Sequence, residues 1–183
     1  MRVPASSVIL LAAVFPVLLG GCNKPTSDSI QLWKTTEKGP EKLRDALADH
    51  AVAPKLRAEA AVAMVDIGHA EEVDTIIAGL PADDRAEIAK TLAPAYQAAM
   101  TAQGPNGERV LAYRDALFSL RQTLPAQGED QKRIDAVLLP ALENDFKVGK
   151  LRQGRHSLDK MLTAIGPDSS AAEPLAAGIA GRV

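Results

Sequence analysis

The side chains with chemical reach in this sequence are one cysteine, three histidines and two runs of charge. His69 and Glu72 stand three residues apart, a spacing that lets two ligands share one helix face toward a metal. Both fall beside Gly68 at a turn between helices, where polar residues are expected without any metal. His50, His69 and His156 show neither metalloprotease nor zinc-finger spacing. His156 is followed by Ser157, yet hydrolase triads meet through the fold rather than along the chain, and no nucleophile-elbow motif is present. That pair reads as a solvated helix start. No catalytic, metal or cofactor site is expected, and the chain reads as a non-enzyme. The single thiol, Cys22, excludes an internal disulfide and needs another use.

Carboxylates cluster at Asp66, Glu71, Glu72, Asp74, Asp83 and Asp84, and a basic stretch follows at Lys147, Lys150, Arg152, Arg155 and Lys160. Charge runs on helices are commonly solvated surface, but clusters of opposite sign also steer a partner and set its orientation. The basic stretch and Trp33, the only tryptophan, are therefore the candidate partner-binding residues. Trp33 lies with Ile30 and Leu32, where it either staples the first helix to the body or meets a partner or a membrane interface.

With 183 residues the chain is long enough for one domain with a sizeable core and too short for two large ones. Aromatics are only 3%, which weakens any case for a stacking-based ligand pocket, and the abundant alanine favours helices. A formal net charge of -2 lacks the basic excess that phosphate backbones demand, so nucleic acid is not an expected partner.

The elements that place Cys22 are a leader and a tether. Arg2 supplies a positive start, and Val8 to Leu19 form an apolar run interrupted by Pro16 and ending at small residues. That run is shorter than the roughly 20 residues a membrane-spanning helix needs. The junction Leu19-Gly20-Gly21-Cys22 resembles the lipobox of bacterial lipoproteins. The resemblance implies a signal peptide over residues 1–21, cleavage before Cys22, and acyl chains on that cysteine. Each buried methylene contributes about 0.8 kcal/mol, so two or more chains hold a protein stably. Residues 22–29 read as a lipidated tether. Asn23 stands where Asp often retains such proteins at the inner membrane, so the resemblance favours the outer membrane, facing the periplasm, over the inner membrane or cell surface.

Residues 30–183 read as helices cut by proline and glycine at Gly39-Pro40, Ala53-Pro54, Gly68, Leu80-Pro81, the loop from Gly104 to Gly107, Pro125, Gly128 and Gly166-Pro167. Helix-face spacing recurs in Leu56, Ala60, Met64 and Ile67, in Ile88, Leu92 and Tyr96, in Val110, Tyr113, Leu117, Leu120 and Leu124, and in Ile134, Val137, Leu138, Ala141 and Leu142. Asp84 with Glu87 has capping-box spacing, and Asn106 can cap the helix after it. About eight or nine helices and no strand are expected.

The segment Arg57-Ala58-Glu59-Ala60-Ala61 matches Arg85-Ala86-Glu87-Ile88-Ala89, and Arg155, Leu162, Ile165 and Gly166 echo Arg57, Met64, Ile67 and Gly68. Proline-bearing helices recur around Pro140 and Pro174, a period in the range of stacked helix pairs. These residues resemble the HEAT-repeat family, with the best unit from Pro40 to Gly68 and the next from Ile134 to Gly166; the stretch from Leu92 to Leu124 departs from the pattern. The resemblance implies an all-α, HEAT-like α-solenoid whose turns and second helices line opposite edges, with the charge runs as two faces of opposite sign. A first helix without its second is expected over residues 171–180, either capping the stack or continuing into a longer array.

The resulting expectation is a lipoprotein anchored through Cys22 that serves as a protein-interaction scaffold for an envelope protein. Two alternatives stand beside it. One is a ligand-binding or enzymatic site among the central helices, for which a buried ionisable cluster around Arg109, Arg114 and Asp115 would be the mark; the other is a purely structural spacer.

Overall fold

The computed structural model describes residues 24–104, 107–147, 154–165 and 176. The leader, Cys22, Asn106, Lys150, Arg152 and all of residues 171–180 except Ala176 lie outside the described residues. Among the described residues the elements are eight α-helices: α1 (Ser27–Trp33), α2 (Gly39–Ala48), α3 (Pro54–Asp66), α4 (Ala70–Gly79), α5 (Ala82–Gln103), α6 (Val110–Gln122), α7 (Glu129–Lys147) and α8 (Leu158–Ile165). None is long and apolar enough to cross a membrane.

Local chemistry sets most boundaries. Pro40 and Pro54 lie in the first turns of α2 and α3, where the missing N–H has no helical partner to lose. Gly68 follows α3 with φ 93°, a conformation that favours glycine, and ends the helix. α1 starts earlier than its polar composition suggests: Thr26 and Ser29 form a reciprocal capping box, so Ser27 is already helical inside the segment expected as tether. Asp84 is not a cap. α5 begins two residues earlier, after Pro81, and Asp84 pairs instead with Arg57 at 3.7 Å.

The helices pack in a regular order. α1 rests on α3, α3 on α5 and α5 on α7, while α2 rests on α4 and α4 on α6; consecutive helices join the two rows at α1–α2, α2–α3, α3–α4, α5–α6 and α6–α7. The core lies between the rows, with Ile88, Leu92, Tyr96, Tyr113, Leu117, Ile134 and Leu138 fully buried. These are the residues whose helical spacing marks one apolar face per helix.

A side-chain device recurs at the row-to-row turns. Arg57, in the first turn of α3, donates from Nε to the carbonyl of Leu47 at the end of α2 (2.9 Å). Arg85, in the first turn of α5, donates to the carbonyls of Ala78 (3.3 Å) and Leu80 (2.6 Å) at the end of α4. Gln131, near the start of α7, donates to the carbonyl of Arg121 in the last turn of α6 (3.4 Å). Arg57 and Arg85 answer carbonyls that a helix end leaves without a backbone partner, whereas the Arg121 carbonyl also accepts the Leu124 N–H (3.3 Å). The units so marked are α2–α3, α4–α5 and α6–α7. The Arg57 and Arg85 segments thus match within one row. Arg155, by contrast, lies in the bend before α8, and its side chain bonds to α4 of the other row.

Candidate functional site

α6 carries polar side chains into the buried interior, Tyr113, Arg114 and Asp115 among them. Tyr113 donates to Asp66 on α3 (2.5 Å), and Asp66 also holds Lys34 just beyond α1 (2.8 Å). Burial, then the Asp66 carboxylate, raise the Tyr113 phenol far above its ordinary range. One residue on, Arg114 is 2% exposed and bridges Asp145 on α7 (2.5 Å) and its neighbour Asp115 (3.1 Å). Asp115, 1% exposed, also accepts the backbone N–H of Arg155. A Cβ at Gly154 would collide with the Asp115 carboxylate, so glycine is what lets residues 154–157 approach α6.

This strap then crosses from α6 to α4. Arg155 pairs with Asp74 on α4 (2.6 Å), and the His156 ring packs edge-on against Phe118 with centroids 4.9 Å apart. His156 Nε2 lies 2.9 Å from Ser119 Oγ, and Ser119 lies 2.7 Å from Asp74. His156 is therefore not the solvated helix start its neighbour Ser157 suggests; its partner is Ser119, 37 residues away in the chain. The proton order is not that of a nucleophile. A hydroxyl has one proton, which Ser119 gives to the Asp74 carboxylate, leaving the imidazole to donate to Ser119 rather than to withdraw its proton. Burial holds His156 below its ordinary pKa and pushes Asp74 above the usual carboxylate value, although the Ser119 and Arg155 bonds to Asp74 oppose the latter shift.

Above this network lies a cleft of about 520 Å³ between the α3–α4 turn, the start of α6 and the strap, with Asp115 and Arg155 on one side and His69, Glu71, Glu108 and Arg109 around it. His69 Nδ1 meets Glu72 at 2.6 Å, and Glu72 also binds Arg44, which holds its carboxyl below the usual range. The His69–Glu72 pair is thus engaged within the protein. Among the described residues no group of three or more His, Cys, Asp or Glu side chains is placed to hold a metal. Glu71, Glu108 and Arg109 make no ion pair among the described residues.

The candidate partner-binding residues are dispersed. Trp33 is half-buried against the core with Lys42 Nζ 5.6 Å from its ring centroid. Lys147 closes α7, Lys160 is exposed on α8, and Arg155 is engaged with Asp74. The Arg155–Asp74 bridge joins the basic run to the acidic one, where separate faces were expected. Ser119 and Asp74 carry no signal along the chain that would pair them with His156. Arg114 and Asp115 do show one, a charged pair set among the apolar positions of a helix face. Neither a protein-family model, nor a curated protein, nor a solved structure matches this chain.

Proposed function

We propose that the chain is an exported bacterial lipoprotein, held through acyl chains on Cys22 at the outer membrane facing the periplasm, whose HEAT-like stack of helix pairs docks another envelope protein. Support for the anchor is the junction Leu19-Gly20-Gly21-Cys22 behind its apolar run. Support for the stack is the packing of α1 to α5 each on the helix next but one, with Arg57, Arg85 and Gln131 each bonding from the start of one helix to a carbonyl at the end of the helix before it. The observation that carries docking is the open cleft edged by Glu71, Glu108 and Arg109, charges without an ion pair among the described residues and so available to a partner's. Changing Cys22→Ala and fractionating cells tests the anchor: the variant should leave the membrane fraction. Envelope crosslinking with Arg109→Glu and Glu108→Lys tests docking. Loss of a specific crosslinked protein is expected, and a wild-type protein that captures nothing specific would sink the scaffold reading.

A second reading is favoured by one feature, the buried cluster of Arg114, Asp115 and Asp145 beneath the cleft. It is the mark expected of a small-ligand site among the central helices. Here the three charges answer one another, which suits a structural role, and only Asp115 reaches the cleft wall. Saturable binding of a small molecule that is lost in Asp115→Asn would favour this reading over the first.

A further inference from the structure

We infer that the corner formed by α1 and the start of α2 seats on the lipid surface, with Leu32 and Trp33 at headgroup depth; this rests on the anchoring of Cys22 proposed above. Ser27, already helical, is five residue steps from Cys22. At most about 17 Å can separate their Cα atoms whatever path the chain takes. Leu32 lies five residues further along α1, about 7.5 Å at a helical rise. A lipid on Cys22 therefore keeps this corner beside the bilayer at high local concentration, where even a weak contact is populated.

The corner also has the chemistry of such a contact. Leu32, 62% exposed, is the only large hydrophobic residue among the described residues that stands out in solvent. It adjoins Trp33, whose indole is half-buried and capped by Lys42. An indole with a lysine stem beside it is an amphipathic pair suited to a membrane–water interface. Exposed Lys24 and Lys38 are nearly balanced by Asp28, Glu37 and Glu41, so the contact is shallow and apolar rather than electrostatic.

Because Trp33 is the sole tryptophan, its emission reports on this corner alone. The full mature protein, purified from membranes, is reconstituted into vesicles of phosphatidylethanolamine and phosphatidylglycerol containing phosphatidylcholine brominated near the headgroup end of its acyl chains. Quenching of the Trp33 emission is expected for an indole at that depth, and Leu32→Ser, at an exposed position, should relieve most of it while keeping its helical circular dichroism. Unquenched Trp33 in a protein that mass spectrometry shows to be acylated and that floats with the vesicles would overturn the seating alone. A bare Cys22 and no flotation would overturn the anchoring, and the seating with it.

Discussion

Arg114 shows how much can turn on one side chain. It is the common partner of Asp115 and Asp145, all three buried, so its loss removes a countercharge from two buried carboxylates. Arg114→Met should lower stability by about 3–5 kcal/mol, read as a fall in the urea midpoint; a change below about 1 kcal/mol would show that water reaches the cluster. His156 gives a prediction in pH. Burial, helped by Lys160 and Arg155, depresses its pKa below 6.5, while Asp115 and Asp74 oppose the shift. The unfolded chain then takes up a proton at a pH where the folded chain does not, so stability falls as pH drops through 6.5 toward the folded value. Raised Asp74 acts with the opposite sign, costing stability as pH climbs above 3.8. His156→Gln keeps an amide near Ser119 without titrating. Between about pH 7.5 and pH 5.5 its melting temperature should fall less than that of the native protein; equal falls would remove His156 from the balance.

At the scale of elements, the turns carry the argument. Arg57 binds a helix-end carbonyl from a buried position, whereas Arg85 does so with more solvent about it. Arg57→Ala should therefore cost about 1.5–3 kcal/mol, and Arg85→Ala less, in parallel urea titrations; the reverse order would argue against burial as the cause. Gly154→Ala places a methyl group against Asp115 and should lift the strap from α6. Faster amide exchange through residues 154–165, with α3 and α5 unchanged, is the expected reading. The Arg-Ala-Glu match between α3 and α5 was legible because it marks a local task, answering a helix end at the start of the next helix. The looser echo at Arg155 keeps the arginine and the apolar spacing, yet that arginine bonds across to α4, since letters record residue type and not which row a helix joins.

For the whole molecule, the packing of α1 to α5 each on the helix next but one predicts a gradient of stability along the body. α3 and α5 each have row neighbours on both sides, whereas among the described residues α1 has one on a single side. Native-state hydrogen exchange should be slowest in α3 and α5 and fastest in α1; uniform protection would mean that the helices unfold as one unit. Helix existence, most boundaries and the apolar face of each helix follow from the chain's own local chemistry, because proline, glycine and a period of 3.6 act within a few residues. The meeting of His156 with Ser119 and Asp74, and the joining of Arg114 to Asp145, came only with packing. A charged side chain is a surface residue until a second helix covers it, and no pattern along one helix says which neighbour will do so.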